Sequence, residues 1–144
     1  MQRDYESIIL VTDIDSIAIV ASAPVTTLGT ALDTQGLRGL VFAGEPDEAI
    51  STDVAHWAIY ECDESGGTYT VVDDSKYLPT DGARLITDVT GGFINKFAAT
   101  STKRYIKPAV IPTTIADDIT FSVTVIKFPE LVDAGDLGPA DALP

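Results

Sequence analysis

The segment ITFSVTVIKF at 119–128 places Ile119, Phe121, Val123 and Val125 on one side of an extended chain and Thr120, Ser122 and Thr124 on the other. Period-two alternation of this length specifies a β-strand with one buried face and one wet face. Five further runs share its character: SIAIVAS at 16–22, RGLVFAG at 38–44, HWAIYEC at 56–62, TYTVV at 68–72 and RYIKPAVI at 104–111. Each is short, rich in Val, Ile, Tyr or Thr, and bounded by turn residues. VAHWAIYEC has room for a turn or two of helix, but Gly, Thr and β-branched residues dominate elsewhere, so no helix is expected. The sequence therefore predicts an all-β fold, an antiparallel β-sandwich or jelly-roll-like small barrel with extended terminal arms.

Local signals refine this. Asp63-Glu64-Ser65-Gly66-Gly67 separates two strand runs, and its glycines can take the positive φ of a tight turn, so WAIYECDESGGTYTVV is the best hairpin. Pro108 interrupts KRYIKPAVI and cannot donate to a ladder, which places that strand at a sheet edge or bulge. Residues 129–144, PELVDAGDLGPADALP, carry three prolines, two glycines and four acidic groups with no periodicity. The expected organisation is an N-terminal arm at 1–15, a β-sandwich core at 16–128 and an acidic Pro/Gly C-terminal arm at 129–144. Leu131, Val132, Leu137 and Leu143 are the arm's apolar anchors, should it lie over a neighbouring subunit.

A chain of 144 residues suits a single core. Nine basic and 22 acidic residues give a net charge of −13, which argues against a sequence-independent nucleic-acid binder and against an anionic membrane surface. The charge is uneven. Residues 76–107 hold six cations and two carboxylates, a balance of +4, which leaves −17 for the rest. Such a block either coats a solvated face or docks onto an acidic surface. Cys62 is the single cysteine, so no intrachain disulfide is available. The start, MQRDYESIIL, lacks a basic n-region, and Asp13 and Asp15 break its apolar run. Neither a signal peptide nor a membrane span is expected, and synthesis in a reducing cytoplasm follows.

Catalytic parts are scarce. His56 is the only histidine, and no nucleophile elbow, P-loop, GxGxxG, HExxH or CxxC is present. His56 reads as a strand-edge residue, Cys62 as a small core hydrophobe alternating with Tyr60 and Ala58, and Trp57 as core or interface. Asp13/Asp15, Asp63/Glu64, Asp73/Asp74 and Asp117/Asp118 lack EF-hand spacing and read first as turn or solvated carboxylates, second as a structural cation site. Lys103-Arg104-Tyr105-Ile106-Lys107 interleaves cations with an aromatic. In a strand, Lys103, Tyr105 and Lys107 share one face while Arg104 and Ile106 share the other. A subunit contact or solvated face is favoured over single-stranded nucleic acid.

Four segments in order, ALDTQGLRGLVFAG, AIYECDESGGTYTVVDDSKYL, STKRYIKPAVI and FSVTVIKFPELVDAG, together resemble the head decoration, cement or capsid-stabilisation proteins of tailed bacteriophages. The resemblance covers most of residues 16–135. Asp33-Thr34-Gln35-Gly36 fits the family's first turn, Asp63 to Val71 its hairpin, Lys103 to Lys107 its basic strand, and Pro129 the proline after the last strand. The family's basic or histidine-bearing ending is replaced here by Lys127-Phe128-Pro129-Glu130 and an acidic tail.

The resemblance implies a non-enzymatic virion protein on the outer surface of a capsid, made in the host cytoplasm. Its partners would be the phage major capsid protein and copies of itself, a homotrimer ahead of a dimer, with no cofactor, metal, nucleic acid or membrane. Lys103, Arg104, Tyr105 and Lys107 are the expected capsid or subunit contacts, joined by Tyr5, Ile8, Ile9 and Leu10 from the N-terminal arm and Leu131, Val132 and Leu137 from the C-terminal arm. Reversing Arg104 to Glu is expected to weaken attachment. The alternatives are a tail, neck or fibre component, and a carbohydrate-binding sandwich with Trp57, Tyr60, Tyr69 or Tyr77 as stacking platforms. An enzyme ranks last.

Overall fold

The computed structural model describes residues 11–23, 25–48, 54–78, 85–86, 95–101 and 103–129. Among the described residues eleven strands form two antiparallel sheets packed face to face, an all-β sandwich. In chain order they are β1 (Val11–Ile19), β2 (Thr27–Leu28), β3 (Leu32–Asp33), β4 (Leu37–Pro46), β5 (Val54–Cys62), β6 (Thr70–Val71), β7 (Tyr77–Leu78), β8 (Leu85–Ile86), β9 (Asn95–Ala99), β10 (Tyr105–Thr114) and β11 (Ile119–Pro129). The first sheet runs β1-β11-β4-β9-β7. The second runs β2-β10-β5-β6, with β3 also on β10 and β8 also on β5. Among the described residues there is no α-helix, only a 3-10 turn at Asp74–Lys76, and hence no helix long and apolar enough to cross a membrane.

Alternation along β11 produces the layering. Ile119, Phe121, Val123 and Val125 are buried between the sheets, and β1 and β4 flank β11 on either side. From the second sheet Trp57, Ile59, Ile106 and Val110 point back at them. Trp57 stacks on Phe97 at 5.4 Å and meets Phe121 edge-on at 5.6 Å, while Phe97 stacks on Phe42 at 5.2 Å. Offset and T-shaped pairs of this kind contribute beyond their burial. Gly44 makes the arrangement possible, because a Cβ there would stand 2.7 Å from Cε2 and Cη2 of the indole. The strand passes so close to Trp57 that only glycine fits.

Polar groups tie the layers together. Tyr77, on the edge strand of the first sheet, reaches the second: its hydroxyl accepts from the Ile59 N–H at 2.7 Å and donates to the Ile59 carbonyl at 3.2 Å. Asp15 faces inward from β1, where its carboxylate accepts from the N–H and the hydroxyl of Thr30. A Cβ at Gly29 would displace that carboxylate and crowd Pro108 at 3.0 Å, so glycine lets the Asp15–Thr30 contact form. Glu61 is the one charged residue buried among those described, and it accepts from the Ser101 hydroxyl. At the far turns, the Asp118 carboxylate accepts from the Ala21 N–H at 2.8 Å.

Several expectations are corrected. β10 is an interior strand, with β5 on one side and β2 and β3 on the other. Pro108 is tolerated because it sits opposite Ile59, and its carbonyl accepts from Gly29 on the other side, so its missing donor points into the gap between β2 and β3. The hairpin forms with Tyr60 opposite Val71, but neither glycine of its turn has a positive φ. Gly67 is needed because a Cβ would lie 2.6 Å from the Cys62 Sγ, and the positive φ belongs to Gly36, at 74°. His56 is on interior strand β5 rather than an edge, and Cys62 is half-buried on the outside of the second sheet rather than in the core. β1 begins at Val11, within the stretch assigned to the N-terminal arm. Residues 1–10 and 130–144 lie outside the described residues.

Candidate interaction surface

Because Trp57 and Ile59 face inward, alternation turns His56, Ala58, Tyr60 and Cys62 outward; on β10 it turns Tyr105, Lys107, Ala109 and Ile111 outward. The registers align them in rows across the sheet. Asp33, Tyr105 and Cys62 form one row, Lys107, Tyr60 and Val71 the next, then Leu28, Ala109 and Ala58, and finally Ile111, His56 and Leu85. The middle of this outer face is apolar. Ala58 and Ala109 lie at its floor, each no more than 1% exposed, while Val71, Leu85 and Leu28 stand out at 51%, 38% and 37%. An antiparallel sheet usually presents polar residues on its uncovered side. The first sheet carries Ser16, Thr120, Ser122, Thr124, Glu45 and Lys96 there, mixed with Ala18, Val41, Ala43 and Ile126, whereas on the second Asp33, Lys107 and His56 stand among Tyr60, Ile111, Leu28, Val71 and Leu85.

The basic cluster borders one end of this face. Tyr105 and Lys107 are outward and Ile106 is in the core, as the alternation required, but Arg104 projects to the outside and not with Ile106. Its guanidinium grips Asp33 with two parallel bonds, Nε to Oδ1 at 3.0 Å and Nη2 to Oδ2 at 2.7 Å, and lies 5.1 Å from the Tyr105 ring. Lys103 is paired to Asp63, and the Lys107 ammonium sits 4.3 Å over the Tyr69 ring. Each cation therefore already has a partner within the chain.

Titration follows from these pairs. The Arg104 guanidinium and, after it, the Gln35 N–H lower the Asp33 carboxyl to about 2, and Asp33 in turn raises Arg104. Asp63 raises Lys103. Partial burial raises the Tyr69 phenol, with Cys62 and Tyr105 adding to it. Because Arg104 and Asp33 satisfy each other, an Arg104→Glu exchange would set two carboxylates side by side. It tests the fold as much as attachment.

Lys103, Arg104, Tyr105 and Lys107 are thus brought together, whereas Tyr5, Ile8, Ile9, Leu10, Leu131, Val132 and Leu137 lie outside the described residues. Trp57 and Tyr77 are fully buried and unavailable as stacking platforms for a sugar; Tyr60 and Tyr69 are partly exposed. Of the acidic pairs, Asp15, Asp63 and Asp118 are engaged in the contacts above, and Asp73 caps the 3-10 turn by accepting from the Ser75 N–H. Among the described residues no group of three or more His, Cys, Asp or Glu side chains is placed to hold a metal. Of the central residues, Tyr60 was expected only as a sugar-stacking platform, and Ala58, Ala109, Ile111 and Val71 were not singled out as a surface from sequence. Their signal was present in HWAIYEC and KPAVI, which are apolar at both parities.

Fold and surface together define, among the described residues, a β-sandwich whose second sheet carries exposed apolar side chains on its outer face and internally paired cations at one end. Comparisons with protein-family models, with curated proteins and with solved structures return no match for this chain.

Proposed function

We propose that this chain is a non-enzymatic phage virion protein that binds the outer surface of a capsid and stabilises the shell by bridging neighbouring major capsid subunits. The observation that carries the reading is the outer face of the second sheet. Leu28, Val71 and Leu85 are exposed on one sheet face around the buried Ala58 and Ala109, and exposed apolar side chains grouped on one face favour protein–protein contact. The resemblance of the four sequence segments to capsid decoration proteins points the same way. A high net negative charge keeps the free protein soluble and opposes contact with packaged nucleic acid. The mechanism is thermodynamic: a protein that binds the mature lattice better than the free subunits stabilises it by mass action.

Saturating purified protein onto mature, undecorated capsids tests this. Binding at a fixed symmetric ratio to the major capsid protein, with a higher capsid melting temperature, is expected. Absence of binding, or occupancy confined to the tail or neck, overturns it.

A further inference from the structure

A cleft of about 390 Å³ opens at one end of the sandwich, between Leu37 and Leu40 of β4, Leu78 of β7, the end of β9 with Thr100 and Ser101, and Ile106 of β10. Ile106 and the partly buried Leu40 give it an apolar base, and Leu78, 62% exposed, stands as an aliphatic side chain with no packing partner sufficient to cover it. Gly39, Ala98 and Ala99 leave the walls too small to close it. The aromatic stack that fills the interior near Trp57 does not extend here.

The end of β11 lies against this cleft. Phe128 pairs with Gly39 and Pro129 with Leu37, both of which line it, so the chain leaves the last strand at the cleft wall. The next residues are Glu130, Leu131 and Val132, followed by Asp133, Asp136 and Asp141. At roughly 3.3 Å per extended residue, Leu131 and Val132 come within about 7–10 Å of Pro129, and two strand spacings of about 4.8 Å separate β11 from β9. Reach is sufficient without involving another molecule. None of the cleft's lining residues among those described is charged, so the contact would be made by the aliphatic side chains of the segment and not by its four carboxylates.

We infer that the cleft is the docking site of the chain's own residues 130–144, with Leu131 and Val132 inserted beside Leu40, Leu78 and Ile106. This is independent of the capsid reading, since it concerns how a single subunit completes its core.

Amide hydrogen exchange on the full chain, at several protein concentrations, tests it against the Leu131→Asp/Val132→Asp variant. Exchange at 37–40 and 98–101 is expected to be about tenfold or more faster in the variant, while β5 and β10 are unchanged and protection is independent of concentration. Equal exchange in the two proteins overturns the inference, and protection lost on dilution places the segment in a neighbour's cleft, which also overturns it. A second measurement uses Leu78→Cys/Val132→Cys on a Cys62→Ser background, oxidised with copper–phenanthroline. A disulfide within the monomer is expected; disulfide-linked dimers, or no disulfide at all, contradict docking in the same chain.

Discussion

The second sheet has two apolar faces with opposite fates. Inward, Trp57, Ile59, Ile106 and Val110 are sealed by the first sheet, and the contact is so close that a side chain at Gly44 would collide with the Trp57 indole. Outward, Leu28, Val71 and Leu85 are exposed and Tyr60 and Ile111 half-buried around Ala58 and Ala109, which are themselves buried. The same strands supply both. Packing between the sheets requires one apolar face per strand; the exposed Leu28, Val71 and Leu85 of the other face are the apolar area that the proposed interface would use.

The comparison is broken if inner substitutions leave stability intact or outer ones remove it. Trp57→Ala should have the largest effect, about 3–5 kcal/mol lost in urea unfolding, because a fully buried indole is deleted from between Phe97 and Phe121. Tyr77→Phe should cost about 1–3 kcal/mol in the same assay, since it strands the buried Ile59 N–H. Gly44→Ala is expected to cost about 1–3 kcal/mol through displacement of the indole, with a changed tryptophan fluorescence spectrum as its signature. Outer substitutions such as Leu28→Asp or Val71→Asp should stay within about 0.5 kcal/mol of the parent.

The rim supplies the smallest and most condition-dependent effect. Asp33 is held at about 2, below its ordinary 3.8, so its pairing with Arg104 favours the folded state above pH 3.8 and that contribution is lost as the pH falls from there through about 2. Melting temperatures of the parent and Arg104→Gln should therefore differ slightly at neutral pH and converge between pH 4 and 2. Both side chains are well exposed, at 48% and 42%, so solvent screens the pair and added salt should also narrow the difference.

Legibility from sequence followed strand length. β11, β10, β5 and β4 span nine to eleven residues, and their composition or alternation shows at once. Two-residue strands such as β2, β3, β7 and β8 carry no period, and in β9 a single Phe97 stands among Asn, Lys and Ala. Asp13 and Asp15 made 11–15 look like an arm, yet the structure pairs it with β11 and holds Asp15 inside on Thr30, a partner fifteen residues away. The basic cluster was visible as a cluster. Its neutralisation was not, because Asp63 and Asp33 lie 40 and 71 residues from the cations they hold. The outer face emerged only when register set Leu28, Val71 and Leu85 beside β10 and β5.

The most direct test of the central claim is the saturation occupancy of mature, undecorated capsids by the parent and by Leu28→Asp/Val71→Asp, with the melting temperature of each free protein measured alongside. The account predicts equal stability and at least about a tenfold loss of capsid affinity in the variant. Equal occupancy by both proteins would contradict it.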